Sequence, residues 1–366
     1  MADILTCYYR PKPGGLFARY LRAMEALLAA GHRVHYLALT PFPIHHPRCV
    51  FHRFPWPAAG SDSLLFWVCF FLVAPFQLTW LALRYRVRIA FCFDLAYAFC
   101  LQPLRRMGVA TPTCFLRGDG LAALKTRKSP PLLIRLASWM EAAALIQCRV
   151  VGSGSHLIDE ILSRHPRLQL REVSVLPNDL PVSIVKPRQI LPGRLRMAMV
   201  GPLVPVKNQG FILDVLSAEN AAWVTLIIFG AGPEEANLKR KIDQCYMRER
   251  ISLSGWVPAN EIWKQVDLLL APALHEGMPN AVLEALANGI PVLASDIPGH
   301  RMILPEPFCL PLSKPERWRH RLDELMHDPQ RRLSQMYESQ IQFANKLRFD
   351  WDSRVVDLII KEDKLA

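Results

Sequence analysis

Two glutamates, Glu276 and Glu284, stand with seven residues between them in a segment that is otherwise almost free of charge. The segment is LHEGMPNAVLEALANGIPVLASDIPG, residues 274–299. Glu276 falls in a predicted loop after a buried strand, and Glu284 falls in the apolar helix that follows. A carboxylate among alanine, valine and leucine is costly unless it is paired or bound to a ligand. Paired hydroxyls, such as those of a ribose or a hexose, are suitable partners.

The surroundings of the two acids favour an anionic ligand. The predicted loop, residues 275–279, leads into a helix from about Asn280 to Gly289, and the backbone N–H groups at a helix N-terminus bind phosphate or carboxylate oxygens. A cation follows another predicted strand, as Lys207 in VGPLVPVK. Taken alone, a lysine of this kind is far more often a surface residue, and only its place after a strand and VGPLVP favours a role in binding. The pair Gly14–Gly15 after the first strand is compatible with an ordinary turn or with a ligand that approaches the backbone.

Further polar residues follow predicted strands. Arg117 and Asp119 lie in FLRGDG, and Asp94 follows AFCF, where it could equally cap a strand end. His275, beside Glu276, is predicted to be a loop residue rather than a catalytic one. No cysteine or histidine spacing predicts a metal site.

The elements that must position these residues alternate between strand and helix. Strand-like runs in the first half are 3–9, 33–39, 87–93, 111–116, 148–154 and 173–178; those in the second half are 195–201, 223–233, 251–257, 266–273 and 290–296. Alternation of this kind is typical of parallel sheets with helices on both faces. We therefore predict two doubly wound α/β domains, joined through residues 178–194, with the ligand in the cleft at the carboxyl ends of the strands.

The charge is uneven along the 366 residues. Residues 1–186 contain 22 Lys and Arg against 10 Asp and Glu, a net +12, whereas residues 187–366 contain 22 of each. An excess in one half indicates an anionic surface facing that half. Because no nucleic-acid recognition motif is present, we expect no nucleic-acid partner.

The nine cysteines include no CxxC pair and suit free thiols in a reducing compartment. The N-terminus enters a predicted strand directly, so no signal peptide is expected.

Residues 64–83 form an apolar run of 20 residues without a charge, followed by Arg84, Arg86 and Arg88. Length alone would allow a transmembrane helix. The strands before and after the run should share one sheet, which argues against a span. A helix buried in the domain or in an oligomer interface and a helix lying in the bilayer surface both remain open. The basic half and KTRK at 125–128, although the latter also suits a solvated loop, favour contact with an anionic membrane.

The motifs taken together resemble the retaining GT-B glycosyltransferases of family 4. The resemblance rests on the Glu-x7-Glu segment with its following GIPVLASDIPG, and it extends to MVGPLVPVKNQGFILDVL, LIIFGAGPEEANLKRKI and RFDWDSRVVDL. It implies two Rossmann-like domains facing across a cleft: 1–186 for the acceptor and membrane side, and 187–345 for the nucleotide sugar. A last helix within 346–366 would pack back on the first domain.

The resemblance also implies residue roles. Glu284 would hold the ribose hydroxyls of the donor, Glu276 would contact the donor sugar, and Lys207 would neutralise the diphosphate. The remaining donor-binding positions are Gly14, Gly15, Gly277, Met278 and Asn280. Arg117, which stands where many members carry a histidine, is a catalytic candidate together with Glu276 and Lys207. Asp94 and Asp119 are further candidates at the acceptor side.

One position departs from the pattern. The family usually has an arginine five residues before the motif lysine, and Pro202 occupies that position here. Arg10, Lys12 or Arg117 could replace the missing cation.

The expected activity is transfer of a hexose from a nucleotide sugar, with retention of configuration, to a lipid-linked or cell-surface polysaccharide or glycolipid acceptor. It needs no metal or other cofactor, and it takes place in the cytoplasm on the inner face of the cytoplasmic membrane. The alternative is a weakly active, glycosyltransferase-like binding or scaffold subunit of a polysaccharide assembly complex, which Pro202 suggests.

Overall fold

A computed structural model describes residues 1–11, 14–57, 61, 63–182, 195–217 and 224–361. The chain divides into two compact units. Unit 1 comprises Met1–Pro177 with Asp350–Ala366, and unit 2 comprises Asn178–Phe349. The predicted boundary at 186/187, most of the predicted joining segment (183–194) and Lys12 lie outside the described residues.

Unit 1 contains one parallel sheet of seven strands in the order β3-β2-β1-β4-β5-β6-β7. The strands are β1 Asp3–Cys7, β2 Arg33–Ala38, β3 Cys49–Arg53, β4 Ile89–Phe93, β5 Thr113–Leu116, β6 Arg149–Gly152 and β7 Val173–Val175. The helices between them are α1 Gly15–Ala29, α2 Leu64–Arg84, α3 Leu95–Arg106, α4 Gly120–Thr126, α5 Pro131–Gln147 and α6 Ser155–Arg164. The predicted α/β class is confirmed. Strand β3 was not predicted, because an edge strand reading CVFHR is only partly buried and has no apolar run.

The apolar run forms α2, and one of its faces is exposed. Phe66, Phe70 and Leu78 are fully buried against the sheet side, whereas Phe76 is 78% exposed and Trp80 is 60% exposed. Of the alternatives left open by the sequence, a helix wholly buried inside the domain is therefore wrong. Among the described residues, α2 is the one helix long and apolar enough to cross a membrane by length and composition. Strands β1 and β4, before and after it, pair side by side, as the argument against a span required.

Unit 2 contains a second parallel sheet, of six strands in the order β10-β9-β8-β11-β12-β13. The strands are β8 Leu195–Val200, β9 Val224–Phe229, β10 Ile251–Gly255, β11 Leu268–Ala271, β12 Val292–Ser295 and β13 Cys309–Leu310. The helices are α7 Gln209–Ser217, α8 Glu235–Gln244, α9 Ala259–Ile262, α10 Asn280–Ala287, α11 Pro298–Arg301, α12 Pro315–Met326 and α13 Pro329–Ala344. Two apolar clusters, one on each face of the sheet, form its core.

The last helix, α14 Trp351–Ile360, belongs to unit 1. Its Trp351 is fully buried, and the guanidinium groups of Arg19 and Arg22 lie 5.3 and 5.0 Å from the Trp351 ring centroid. Arg22 also pairs with Asp352 at 2.6 Å. The helix is thus attached to α1 by a buried aromatic residue rather than by surface ion pairs alone.

The nine cysteines are free, as predicted, and six of them are buried. Burial raises the pKa of Cys92 to about 11, so its thiol stays protonated at neutral pH. Protonated buried thiols are inert as nucleophiles.

Candidate active site

The turns that follow β8 and β9 in unit 2 pack directly on each other. Gly230 has a φ of +140°, and a Cβ there would lie 1.9 Å from the carbonyl oxygen of Gly201. A Cβ at Gly232 would lie 2.3 Å from the carbonyl oxygen of Leu203. Only glycine fits such contacts. These glycines bring the two turns together at the carboxyl ends of the strands, where ligands bind in open α/β sheets.

Lys207 ends a short 3₁₀ turn, Pro205–Lys207, and its side chain lies across Gly201, with Cε 3.5 Å from the position of a Cβ on that glycine. The turn is tied to the next functional loop, because the Leu274 N–H donates to the carbonyl of Val206 at 2.8 Å. The Lys207 ammonium forms an ion pair with the Glu276 carboxylate, and the two side chains are 23% and 16% exposed. The structure therefore brings together the predicted cation and the first predicted acid.

Two contacts hold the loop that carries Glu276. A Cβ on Gly299 would lie 2.3 Å from the carbonyl oxygen of Glu276 and 2.9 Å from that of Gly277, so the loop lies against the backbone of α11. On the other side, the side-chain amide nitrogen Nδ2 of Asn178 donates to the carbonyl of Met278 at 2.9 Å and to Oδ1 of Asn280 at 3.0 Å. The predicted donor-binding positions 277, 278 and 280 thus lie in one clamped segment.

Helix α10 begins at Asn280, and its N-cap residue, Pro279, makes no side-chain capping hydrogen bond. The first backbone N–H groups of the helix supply the positive end of its dipole. Glu284 lies one turn further along and is half-buried between the buried Leu283 and Ala285. The helix ends close to prediction, with Asn288 as its C-cap and Gly289 at a φ of +78°.

Lys207 and Glu276 line a small, open depression together with His300, Gln209 and the start of α10. His300 is fully buried. Its Nδ1 donates to the carbonyl of Ser295 at 2.8 Å, and the Ser295 hydroxyl donates to the carbonyl of Ala273. Burial lowers the pKa of His300, as does Lys207 to a smaller degree, whereas Glu276 and the Ser295 carbonyl oppose the shift. The ring is therefore neutral at neutral pH. No sequence pattern singled out His300, because its role depends on a contact across two strand ends.

Pro202, which replaces the usual arginine, follows Gly201 and is exposed. Its carbonyl accepts a hydrogen bond from the Gln209 amide at 3.1 Å. Position 202 thus contributes a carbonyl oxygen to the turn and no positive charge.

In unit 1, Gly14 is the N-cap of α1 and has a φ of +146°, a conformation that favours glycine; among the described residues, no atom lies within 4 Å of where a Cβ would be. Gly15 is the first residue of that helix. Arg117, the residue after β5, donates from Nη1 to the carbonyl of Leu176 at 2.9 Å. Its guanidinium carbon lies 5.4, 5.6 and 5.7 Å from the ring centroids of Phe93, Phe115 and Trp351. The aromatic rings hold Arg117 in a defined orientation.

The two acidic candidates of unit 1 have structural partners. Asp119 is the N-cap of α4, where it accepts from the Ala122 N–H at 2.8 Å, and it forms an ion pair with Arg164. Asp94 caps α3 rather than a strand end: it accepts from the Ala96 N–H at 3.1 Å and has a φ of +107°. Burial raises the pKa of Asp94.

Residues 184–344 match the family model described as Glycosyl transferases group 1. Among curated proteins, the chain is 29% identical over 207 residues to the UDP-Gal:alpha-D-GlcNAc-diphosphoundecaprenol alpha-1,3-galactosyltransferase of Escherichia coli. That alignment covers 50% of this chain, and the chain spans about half the length (51%) of this relative.

Solved structures match the chain over its whole length. WaaG, a glycosyltransferase involved in lipopolysaccharide biosynthesis, superposes with a TM-score of 0.74 at 16% identity, covering 98% of this chain and 100% of that one. Anabaena HepE in complex with UDP and glucose superposes with a TM-score of 0.71 at 14% identity, covering 99% of each chain. At these identities the likeness establishes the GT-B fold.

Proposed function

This chain carries a group 1 glycosyltransferase domain on the GT-B fold, and from that premise we propose that it transfers a hexose from a nucleotide sugar to a lipid-linked or cell-surface polysaccharide or glycolipid acceptor, with retention of configuration. The observation that carries the proposal is the Lys207–Glu276 ion pair beside the N-terminus of α10. A cation, a carboxylate and a helix N-terminus together match a ligand that has both a diphosphate and hydroxyl groups.

The chemistry follows from the leaving group. Departure of a nucleoside diphosphate requires stabilisation of its developing negative charge, which Lys207 and the N-terminal amides of α10 supply. When the diphosphate replaces Glu276 as the ion-pair partner of Lys207, the Glu276 carboxylate becomes available to accept hydrogen bonds from the sugar. Glu276 and Glu284 then position the donor, and the departing phosphate takes the proton of the acceptor hydroxyl. We propose that the reaction proceeds without a metal ion, so chelation with EDTA should leave turnover unchanged.

The relatives support the choice of donor. The Escherichia coli relative is named for UDP-galactose, and HepE was solved with UDP and glucose. We therefore propose a UDP-hexose as the donor. A thermal-shift screen of UDP-, GDP- and ADP-hexoses tests this, because a ligand that binds the folded state raises the melting temperature. Stabilisation by a UDP-hexose that disappears in Lys207→Ala is expected; no stabilisation by any of the nucleotide sugars would refute the proposed activity.

A hydrophobic surface of unit 1 supports a membrane-associated acceptor. The rings of Phe71, Phe99 and Trp139 stand 6.0 and 5.8 Å apart in a row that joins α2, α3 and α5. The exposed apolar side chains of the two outer helices form what we name the α2–α5 surface: Leu64, Leu65, Val68, Leu72, Val73, Phe76, Trp80, Leu83, Leu132, Leu133, Leu136, Trp139 and Ile146. Patches of this kind mark interaction sites.

Charge favours an anionic bilayer as the partner of the α2–α5 surface. Exposed basic residues end or follow α2 and precede or lie within α5, namely Arg84, Arg86, Arg88, Lys125, Arg127, Lys128 and Arg135. Each basic residue near an anionic membrane contributes about 1 kcal/mol, whereas a second copy of the same basic surface would be repelled. We propose that unit 1 binds the inner face of the cytoplasmic membrane, where a lipid-linked acceptor would be present.

Pro202 supports a second candidate, a weakly active binding or scaffold subunit of a polysaccharide assembly complex. Because the Pro202 side chain has no guanidinium, the leaving diphosphate has one cation fewer. The variant Pro202→Arg separates the two candidates: a wild-type rate already in the range of 1 s⁻¹ or more, typical of enzymes, favours the enzyme, whereas turnover that appears only in Pro202→Arg favours the subunit.

A further inference from the structure

His300 lines the depression that contains Lys207 and Glu276. Its Nδ1 lies 2.8 Å from the carbonyl oxygen of Ser295, and because a carbonyl can only accept, the ring proton must be on Nδ1. The opposite nitrogen, Nε2, is buried and has no hydrogen-bond partner among the described residues. In a neutral ring with this tautomer, Nε2 offers a lone pair and no proton.

Burial keeps the ring neutral, since it is the largest cause of the lowered pKa of His300. The nearby Glu276 carboxylate favours the protonated ring, but burial outweighs it and the pKa of His300 stays below its ordinary value. The Ser295 hydroxyl supports the same tautomer: it donates its proton to the carbonyl of Ala273, so it offers only lone pairs to Nδ1, which lies 3.2 Å away.

An unpartnered buried acceptor selects its ligand by chemistry. Phosphate oxygens are acceptors and would repel the lone pair of Nε2, whereas a sugar hydroxyl can donate to it. Glu276 offers a second acceptor in the same depression. We propose that His300 is a specificity-determining residue whose Nε2 accepts a hydrogen bond from a hydroxyl of the donor sugar, next to the hydroxyl that Glu276 binds. This inference rests on the proposed function and adds the residue that distinguishes the sugar from the diphosphate.

Two variants separate the role of Nε2 as a hydrogen-bond acceptor from the role of Nδ1–H, which binds the Ser295 carbonyl. In His300→Asn, the amide nitrogen can replace Nδ1–H and keep the bond to Ser295, but nothing occupies the position of Nε2. In His300→Gln, the side-chain carbonyl can reach the position of Nε2 and restore an acceptor. Calorimetry gives two dissociation constants, one for the nucleoside diphosphate and one for the nucleotide hexose that stabilises most in the screen of UDP-, GDP- and ADP-hexoses. The measured quantity is the ratio of the first constant to the second, which is high when the sugar adds affinity.

We expect His300→Asn to lower this ratio about 3- to 10-fold, the range for one neutral hydrogen bond. Its affinity for the diphosphate alone should stay within 2-fold of wild type, and His300→Gln should recover most of the ratio. An unchanged ratio in His300→Asn would overturn the inference, as would an equal loss of affinity for both ligands, which is the result for a purely structural histidine.

A second measurement, by NMR, is made on the wild-type protein; a variant serves only to assign the resonance. Histidine ¹⁵N spectra of the wild-type protein report whether Nε2 accepts a hydrogen bond. The Nε2 resonance of His300, identified by its loss in His300→Gln, should move on addition of the nucleotide hexose and not on addition of the diphosphate. A resonance that moves equally with both ligands would contradict the inference. A screen in which none of the nucleotide hexoses binds would instead refute the proposed function, so the two failures are distinguishable.

Discussion

Substituting Gly299 by alanine adds one methyl group against the loop that carries Glu276. The new Cβ would lie 2.3 Å from the Glu276 carbonyl oxygen and 2.9 Å from that of Gly277. Both neighbours are backbone atoms, so no side-chain rotation relieves the contact. The loop must retreat by about 1 Å to restore van der Waals distance, and Glu276 moves with it.

Two magnitudes follow from this displacement. Overpacking a well-packed site costs about 1–3 kcal/mol of unfolding free energy. A misplacement of about 1 Å in a substrate-positioning group costs about 100-fold in rate. We therefore expect Gly299→Ala to lose several degrees in melting temperature and about two orders of magnitude in kcat/KM.

The matched control is Gly210→Ala in α7, in the same unit. A Cβ there meets only the flexible end of the Lys241 side chain, at 3.5 Å, and alanine is the better helix former by up to about 1 kcal/mol. Denaturant unfolding and donor turnover are measured for both variants. We expect opposite signs of the stability change and an unchanged rate in Gly210→Ala. A Gly299→Ala protein with wild-type stability and turnover would refute the proposed loop clamp.

Three further predictions concern unit 1. Burial lowers the pKa of His52 to about 4, below the ordinary value of 6.5; the unfolded state therefore binds the proton first, and stability should fall as pH drops from about 6.5 to about 4 and level off below it. After allowance for partial exposure, the free energy of unfolding should fall by about 1–2 kcal/mol over this range. Urea unfolding at several pH values measures the change, and the same pH dependence in His52→Gln would contradict the prediction. Trp80→Glu and Trp139→Glu should each abolish co-sedimentation with anionic vesicles, while Trp256→Glu, at an exposed tryptophan of unit 2, should not; loss of a concentration-dependent dimer instead would identify a second copy as the partner. Asp119→Ala should destabilise the protein by about 2 kcal/mol or more, because it removes an N-cap and one side of a buried ion pair; a change in unfolding free energy below 0.5 kcal/mol would contradict that role.

Much of the fold is predictable from the sequence because parallel strands buried on both faces are short apolar runs separated by helices. The Glu-x7-Glu segment likewise predicts its own strand, loop and helix, since these are contiguous in the chain. Strand β3 escaped prediction because an edge strand needs no continuous apolar run. The exposed face of α5 was also missed, since Arg135 and Glu141 interrupt its hydrophobic stretch.

The missed parts of the site depend on contacts between distant segments. The tautomer of His300 depends on Ser295, whose hydroxyl is bound by the carbonyl of Ala273, 22 residues before it. The reason for Gly299 is the Glu276 carbonyl, 23 residues earlier in the sequence. Asn178 holds a loop that begins almost a hundred residues later. No local pattern reports such contacts, whereas Lys207 and Glu276 were found because each follows a strand whose end the sequence marks.

The most direct test of the proposed function is the release of nucleoside diphosphate from a UDP-hexose in the presence of a membrane extract that supplies the acceptor. Wild-type protein is compared with Lys207→Ala and with Lys239→Ala, a control at an exposed lysine of α8 that pairs with Glu235. Loss of one charge-stabilising group costs about 100- to 1000-fold in kcat. We predict that loss in Lys207→Ala and a wild-type rate in Lys239→Ala. Equal rates of diphosphate release in wild type and Lys207→Ala would contradict the proposal that this site performs glycosyl transfer.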